Sequence, residues 1–252
     1  MELLALCWHP LWVPCTLVLS VVLWARRAAW RPAACPVDLR GKTAVVTGAN
    51  SGLPLTVTPE GLSLIFATNY LGHFLLTNLL LDAMKASAPS RIVNVSSFRH
   101  QAGEANVQFL SGKEQPKNFN KAYNSTKLMN VLFTVELARR LQGTGVTVNA
   151  LSPGMVHTEI MQNFSWWVRL LFHLVGILFL KSPTQGSFST TYCAVSEEVE
   201  GISGKYFDSD CRLALPSPLA RDPAVGRKLW EASEKLVGLH DGGREPASRK
   251  VA

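Results

Sequence analysis

The chain has 252 residues, a length that suits a single domain of ordinary size. Apolar residues make up 47% of the sequence, which is enough to build a buried core. The formal net charge is +7, and such a balance raises the question of a nucleic-acid partner. The basic residues flank the first apolar stretch and occupy the C-terminal tail instead of forming one stripe, so we expect no nucleic-acid binding.

The first apolar stretch lies within residues 1–32 and predicts a membrane anchor. Residues 3–8 and 11–24 together supply close to the roughly 20 apolar residues that a membrane helix needs. No Lys or Arg precedes this stretch, whereas a cleaved signal peptide normally has a positive n-region, so an uncleaved anchor is the favoured alternative. Arg26 and Arg27 follow the stretch, and the positive-inside rule then places the remaining chain in the cytosol.

A strand followed by a glycine-rich turn comes next. Residues 43–47 contain the apolar run Ala-Val-Val and predict the strand. Residues 47–52, Thr-Gly-Ala-Asn-Ser-Gly, follow directly, and the backbone N–H groups of such a turn suit phosphate binding. A turn of this type is expected to open a helix, yet residues 53–59 show no helical period.

A long helix and a second strand follow the glycine-rich segment. Apolar residues recur with helical spacing over residues 60–85, which predicts a helix, and residues 86–90 turn the chain. Residues 91–96 are rich in β-branched side chains and predict a buried parallel strand. Ser96 and Ser97 stand at its carboxyl end, which is where open α/β sheets bind ligands.

Tyr123 and Lys127 lie one helical turn apart within a predicted helix over residues 122–142, so their side chains share one face. A lysine ammonium beside a phenol favours the phenolate and lowers the pKa of the phenol. That shift suits a tyrosine that transfers a proton near neutral pH. Residues 98–120, before this helix, are polar and contain glycines, and we expect a mobile loop near the site.

The next segments supply a third strand and a second apolar stretch. Residues 146–151 predict a strand that runs into Ser-Pro-Gly at residues 152–154. Residues 164–180 are strongly apolar, but Arg169 and His173 within them argue against a second membrane span. We interpret this stretch as an apolar lid that touches the bilayer, which suits a lipid-like substrate.

The end of the chain reads as a short strand, a helix and a tail. Residues 204–207 predict the last strand, residues 223–236 the final helix, and residues 239–252 a disordered tail. The five cysteines and six histidines show no metal-ligand spacing, so we expect neither a disulfide framework nor a metal site. His73 and His100 lie near the motifs and are interpreted as polar surface.

These motifs, in this order, resemble those of the short-chain dehydrogenase/reductase family. The matching segments are residues 47–52, 69–77, 91–97, 123–133 and 152–158. The segment Asn-Tyr-Leu-Gly-His-Phe-Leu-Leu-Thr at residues 69–77 is most similar to the membrane-associated retinol dehydrogenase branch. The resemblance covers roughly residues 39–236 and implies an α/β fold with a Rossmann-like, doubly wound parallel sheet. It also implies a nicotinamide cofactor and hydride transfer at an alcohol or carbonyl carbon.

The resemblance implies a set of catalytic residues by motif. Tyr123 corresponds to the proton donor and acceptor, and Lys127 to the residue that lowers its pKa and holds the nicotinamide ribose. Ser97, in preference to Ser96, corresponds to the group that polarises the substrate oxygen, and Asn69 to the residue that anchors a proton-relay water. The implied cofactor-binding residues are Gly48, Ser51, Gly52, Tyr123, Lys127, Pro153, Gly154 and Thr158.

The chain departs from the family pattern after its glycine turn. Gly48 and Gly52 fit the family's Thr-Gly-x-x-x-Gly-x-Gly motif, but Pro54 stands where the third glycine belongs, and its ring blocks close approach. Asn69 comes only 17 residues after Gly52, whereas the family places several strands and helices between them. The missing block is on the order of 90 residues, and it includes the residue that selects NAD or NADP. We interpret this as an internal excision near residues 53–59.

An excision of this size depletes the sheet of several N-terminal strands and helices. We expect a short-chain dehydrogenase-like domain over residues 33–238 that keeps strands near 43–47, 91–96, 146–151 and 204–207. With its neighbours missing, the first of these strands is expected to pair beside the second across one right-handed crossover.

Three functional hypotheses follow from these observations. The first is an NADP-dependent retinol or retinal oxidoreductase on the endoplasmic reticulum membrane. Its NADP preference and retinoid substrate come from the branch resemblance, and NAD stays open. The second is a shortened, catalytically inactive product that acts at most as a membrane-bound interaction protein, and on this view the chain binds NADP(H) poorly. The third is a carbonyl reductase that acts on another lipid aldehyde or on a steroid.

Overall fold

Four strands form one sheet in the computed structural model. β1 spans Ser90–Val95, β2 Val146–Leu151, β3 Tyr206–Phe207 and β4 Leu213–Ala214, and they lie in that order across the sheet. β1, β2 and β3 run parallel, whereas β4 is antiparallel to β3. The structure describes residues 20–21, 39–47, 57–59, 61–156 and 181–239.

The two long strands confirm the sequence predictions for this part of the sheet. β1 and β2 pair along their full length, from Ser90 opposite Val146 to Val95 opposite Leu151. Alternate residues of β2 point to opposite faces, so Val148 packs into the main core while Leu151 packs into a smaller core on the other face. β3 is shorter than predicted, and β4 was not predicted because its surroundings are rich in proline.

Four longer helices flank the sheet in the described part of the chain. They are α1 (Leu64–Ala86), α2 (Phe119–Arg140), α3 (Pro183–Val195) and α4 (Pro223–Leu236). Helices α1, α2 and α4 contribute to the main core. Cys193 of α3 packs with Leu151 and Phe207 in the smaller core, so helices cover both faces as in a Rossmann-like sheet.

An aromatic cluster joins the three helices of the main core. Phe74 of α1 is fully buried, and its ring centroid lies 4.9 Å from that of Trp230 in α4 and 5.3 Å from that of Phe133 in α2. Tyr70 adds an edge-on contact with Phe133 at 6.2 Å. These tilted and edge-on arrangements are the favourable geometries for aromatic pairs, and they hold α2 in place beneath the site.

Capping residues explain where the helices begin. Asn118 accepts a hydrogen bond from the Lys121 N–H, so α2 starts at residue 119 and not at residue 122 as predicted. Ser182 and Gln185 form a capping box at the start of α3. α3 was not predicted, although its capping sequence Ser-Pro-Thr-Gln is present at residues 182–185. α4 has the predicted bounds of 223–236.

Residues 43–47 do not form a strand, and the prediction that they pair beside β1 is wrong. The segment is irregular, with Val45 67% and Val46 91% exposed. A parallel strand depends on ladder hydrogen bonds and on burial of both faces, and within the described residues no strand pairs with this segment. β2 is the only strand that pairs with β1 within the described residues.

The segment at residues 98–120 is more structured than predicted. It contains 3₁₀ turns at Phe98–Ala102 and Val107–Phe109, and Leu110 is buried in the main core. The interpretation of His100 as polar surface is wrong, because this side chain is 0% exposed. The apolar residues of this segment therefore fix its path along α2.

α1 is the one helix of the described residues that is long and apolar enough to cross a membrane, with a mean hydropathy of 1.4. Core helices of soluble proteins share these properties, and α1 places Phe66 and Phe74 in the main core. The predicted anchor at 1–32, lid at 164–180 and tail at 239–252 lie outside the described residues, apart from residues 20–21 and 239.

Candidate active site

The carboxyl ends of β1 and β2 stay in contact beyond the sheet. The Ser96 N–H donates to the Leu151 carbonyl at 2.7 Å. The Phe98 N–H donates to Ser152 Oγ at 3.0 Å. The segments that follow the two strands are thereby held side by side, at the edge where open α/β sheets bind ligands.

The two serines after β1 have different partners. Ser96 Oγ donates to the Lys127 backbone carbonyl at 2.7 Å, and this bond fastens β1 to α2. Ser97 Oγ accepts from the Arg99 N–H at 3.2 Å and also interacts with the Tyr123 hydroxyl. Ser96 therefore connects the backbones of β1 and α2, whereas the Ser97 hydroxyl lies beside the Tyr123 phenol.

Tyr123 lies in the first turns of α2 and is half-buried. Burial raises the pKa of Tyr123, and the Ser97 hydroxyl and the Arg99 charge lower it by smaller amounts. The balance is a raised pKa, whereas the sequence argument expected Lys127 to lower it. The difference arises because desolvation disfavours the phenolate more than these neighbours favour it.

Lys127 shares the helix face of Tyr123, as the four-residue spacing predicted. Its Nζ lies 5.5 Å from the centroid of the Tyr123 ring and donates to the Val95 carbonyl at 3.1 Å. Burial lowers the pKa of Lys127 to about 8. An ammonium has three N–H donors, and among the described residues Val95 takes one of them, so this group suits the hydroxyls of a nicotinamide ribose.

Asn69 connects α1 to the turn of α2 that carries Tyr123. It lies in the π-helical turn Ala67–Leu71, and such turns are frequent at functional sites. Its Nδ2 donates to Thr126 Oγ1 at 3.3 Å, and Thr126 Oγ1 donates to the Tyr123 carbonyl at 2.7 Å. The Thr126 side chain therefore connects Asn69 to the backbone of Tyr123, the predicted proton donor.

The Pro153-Gly154 turn after β2 lies at the same edge of the sheet. Gly154 has φ +82°, and a Cβ there would lie 2.9 Å from the Cβ of Ser209, so glycine is required. The Gly154 N–H donates to Ser152 Oγ at 3.3 Å. Four other predicted cofactor-binding residues lie outside the described residues, namely Gly48, Ser51, Gly52 and Thr158.

Two residues of the 3₁₀ turn after Ser97, Arg99 and His100, belong to the site although the sequence did not predict them there. The guanidinium carbon of Arg99 lies 5.5 Å from the centroid of the Tyr123 ring. His100 interacts through Nδ1 with the Ser97 carbonyl at 2.7 Å. No spacing rule singles out these residues, because their positions depend on how the turn folds against α2.

Exposed apolar side chains occur on the segments that supply this group. Phe98 is 47% exposed, Phe119 42% and Met155 57%, and they belong to the segments that begin at β1, α2 and β2. The Phe119 ring stacks on Tyr123 with a centroid distance of 6.3 Å. An apolar rim beside a phenol, a serine and an ammonium suits a substrate with a hydrocarbon body and one reactive oxygen.

A separate cleft of about 380 Å³ lies beside α4 and contains none of the predicted site residues. It is lined by Glu104, Ala105, Asn106, Val107, Leu219, Val225 and Lys228.

Comparisons with known proteins agree with this geometry. A sequence model described as short chain dehydrogenase matches residues 55–168. Retinol dehydrogenase 14 of Mus musculus is 49% identical over 188 residues, covering 74% of this chain and 56% of that protein. Retinol dehydrogenase 13 of Homo sapiens is 47% identical over 190 residues, covering 74% of this chain and 57% of that protein. The chain thus spans a little over half the length of these relatives.

A solved structure gives the same result for the fold. An uncharacterized protein from Mycobacterium Paratuberculosis superposes with a TM-score of 0.57 at 28% sequence identity, covering 75% of this chain and 64% of that one. The segment matched by the family includes Ser97, Tyr123 and Lys127, which the fold brings together. On these grounds the chain belongs to the short-chain dehydrogenase/reductase family.

Proposed function

We propose that this chain carries the catalytic residues of an NADP-dependent oxidoreductase that acts on a lipid alcohol or carbonyl, with retinol and retinal as the first candidates. The observation that carries the proposal is the convergence of Ser97, Tyr123 and Lys127 at the carboxyl edge of β1 and β2. A phenol, a hydroxyl and an ammonium at one place suit proton transfer to or from a substrate oxygen. The 45–49% identity to retinol dehydrogenases supports the substrate class.

The residues have distinct roles in the direction of carbonyl reduction. A nicotinamide cofactor, when bound, supplies the hydride that the carbonyl carbon receives. Ser97 Oγ donates a hydrogen bond to the carbonyl oxygen, and Tyr123 transfers its phenolic proton to that oxygen as the C–H bond forms. Lys127 holds positive charge near the phenolate that remains, which makes the loss of the proton easier. In oxidation the same proton returns to Tyr123.

The described donors fit the nicotinamide half of a dinucleotide. Lys127 and Tyr123 offer hydrogen-bonding groups for the ribose, and the Pro153-Gly154 turn lies at the same sheet edge. The phosphate-binding turn at residues 47–52 belongs to this proposal on its sequence motif alone. The preference for NADP over NAD rests on the similarity to the retinol dehydrogenase branch.

The cellular setting forms part of the same proposal. An apolar segment within residues 1–32 holds the chain on the endoplasmic reticulum membrane with the site in the cytosol. The apolar rim of Phe98, Phe119 and Met155 then receives substrates from the bilayer, and residues 164–180 act as a lid. Membrane extraction at high salt and alkaline pH tests this assignment, which fails if the intact protein is released.

The central experiment measures NADPH-dependent reduction of all-trans-retinal in membranes. It compares this chain with a longer form that carries the strands and helices expected between the glycine turn and Asn69. We expect turnover in the longer form and much slower turnover in the 252-residue chain. The reason is that a displacement of about 1 Å in the cofactor can reduce the rate about a hundredfold.

Two substitutions make this experiment specific for the site. Tyr123→Phe removes the transferable proton, so we expect it to abolish turnover in the longer form and to change little in the 252-residue chain, whose turnover is already slow. Tyr192→Phe is the matched control, because its hydroxyl binds Glu198 at 2.8 Å and its ring packs on Phe207 in the smaller core. Equal turnover by Tyr123→Phe and Tyr192→Phe in the longer form would contradict the proposed function. NADH in place of NADPH decides the cofactor preference.

A further inference from the structure

We infer that Arg99 is a second cationic positioning residue of the site, which stabilises the ionised form of Tyr123. This inference rests on the proposed function of Tyr123 as proton donor and acceptor. It concerns a residue outside the motif set of Ser97, Tyr123 and Lys127, and it follows from the path of the turn after β1.

Arg99 is placed by three separate contacts. Its guanidinium carbon lies 5.5 Å from the Tyr123 ring centroid, and its Nη2 donates to Asn120 Oδ1 at 2.9 Å. Its backbone N–H donates to Ser97 Oγ at 3.2 Å. One residue therefore fixes the serine hydroxyl with its main chain and holds a positive charge over the phenol with its side chain.

The charge of Arg99 is available to the phenol. Within the described residues, its side-chain partner Asn120 is neutral, and no carboxylate lies within ion-pair distance of its guanidinium. By contrast, Lys121, two residues before Tyr123, is paired with Glu104 at 2.6 Å. A guanidinium keeps its charge at every pH at which the protein is folded, so its effect does not fade as the solution becomes alkaline.

Lys127 cannot supply the same constant charge. Burial lowers its pKa to about 8, and its ammonium is directed to the Val95 carbonyl. Above that pH the lysine is mostly neutral. Burial raises the pKa of the Tyr123 phenol, the Ser97 hydroxyl lowers it in part, and the charge of Arg99 lowers it further.

The test follows the ionisation of Tyr123 directly and needs no turnover. The protein has four tyrosines, so ¹³Cζ-tyrosine labelling gives four resonances, and Tyr123→Phe identifies the one that matters. We expect Arg99→Gln to raise the Tyr123 titration midpoint by about 0.5–1 pH unit and Arg99→Lys to raise it by less. In 0.5 M NaCl the difference between wild type and Arg99→Gln should shrink, because screening weakens the interaction.

Arg91→Gln is the control for loss of one positive charge. Arg91 lies near the opposite end of β1, about 20 Å from Ser97 along the strand, and its Nη1 donates to the Ser196 carbonyl. An equal shift in Arg91→Gln and Arg99→Gln, or no shift in Arg99→Gln with all four resonances still dispersed, would overturn the inference. Should Tyr123→Phe abolish retinal reduction while Arg99→Gln leaves the midpoint unchanged, the proposed function stands and only the role of Arg99 falls.

Discussion

His100 provides the sharpest test of how the site is held together. Its Nε2 accepts a hydrogen bond from the Ser217 N–H at 3.1 Å, so the ring proton must lie on Nδ1, which donates to the Ser97 carbonyl at 2.7 Å. The ring also packs on Tyr206 with a centroid distance of 4.7 Å. A neutral imidazole thus connects the serine turn to a segment 117 residues away.

Replacing His100 by Ala removes both side-chain hydrogen bonds and empties the space of the ring. The buried Ser217 N–H then lacks a partner, whereas the Ser97 carbonyl keeps the bond from the backbone N–H of residue 100 at 3.0 Å. An unpaired buried N–H costs about 1–3 kcal/mol, and water that enters the vacated space recovers part of it. We therefore expect His100→Ala to lower the free energy of unfolding by about 2–4 kcal/mol. Urea denaturation followed by tryptophan fluorescence measures this change.

Conservative variants separate the two bonds. A Gln oxygen reaches the position of Nε2, so His100→Gln should keep the Ser217 amide protected from hydrogen exchange. An Asn nitrogen reaches the position of Nδ1, so His100→Asn should keep only the bond to Ser97 and let the Ser217 amide exchange faster. His100→Phe retains the ring contact with Tyr206. If His100→Phe were as stable as wild type, the argument from hydrogen bonds would be refuted.

The pH dependence of stability follows from the same contacts. Burial lowers the pKa of His100 below its ordinary 6.5, although the bond to the Ser97 carbonyl raises it in part. The unfolded chain therefore binds a proton first as the pH falls through 6.5, and the folded state loses stability from there down to the folded pKa. Wild type should lose stability as the pH falls from 6.5 to the folded pKa of His100. Above pH 6.5 the difference in the free energy of unfolding between wild type and His100→Gln should be constant.

Two further predictions concern the support of α2. Phe74→Ala should lower the free energy of unfolding by about 3–5 kcal/mol, because it empties a fully buried site between Phe133 and Trp230. Tyr70→Phe removes only the hydrogen bond to Ser233 and should lower it by about 1 kcal/mol. Similar losses for the two variants in urea denaturation would contradict this ranking. Burial raises the pKa of the Glu136 carboxyl, but hydrogen bonds and charges of its two arginine neighbours outweigh this and hold the pKa below its usual range. Glu136→Gln should therefore destabilise the protein at pH 7 by about 1–2 kcal/mol. The difference in stability between wild type and Glu136→Gln should vanish as the pH falls through the folded pKa. Equal differences in stability at pH 7 and at pH 3 would show that the charge is not responsible.

The sequence by itself determined the features that depend on local spacing. β-Branched runs predicted β1 within one residue and β2 without error, and the Pro223 start gave the bounds of α4. Tyr123 and Lys127 share a face because four residues make about one helical turn, whatever surrounds the helix. The serine pair at the end of β1 followed from the same local pattern.

The tertiary structure alone decided the features that depend on distant partners. Residues 43–47 look like a strand locally but remain irregular, because strand pairing needs hydrogen bonds from another segment. His100 looks polar and exposed in sequence, yet it is buried because Ser217 supplies its second hydrogen bond. The pKa of Tyr123 is raised and not lowered, since desolvation depends on how completely the fold covers the phenol. Spacing along a chain fixes which side chains share an element, but burial and charge depend on what the remaining chain places against that element.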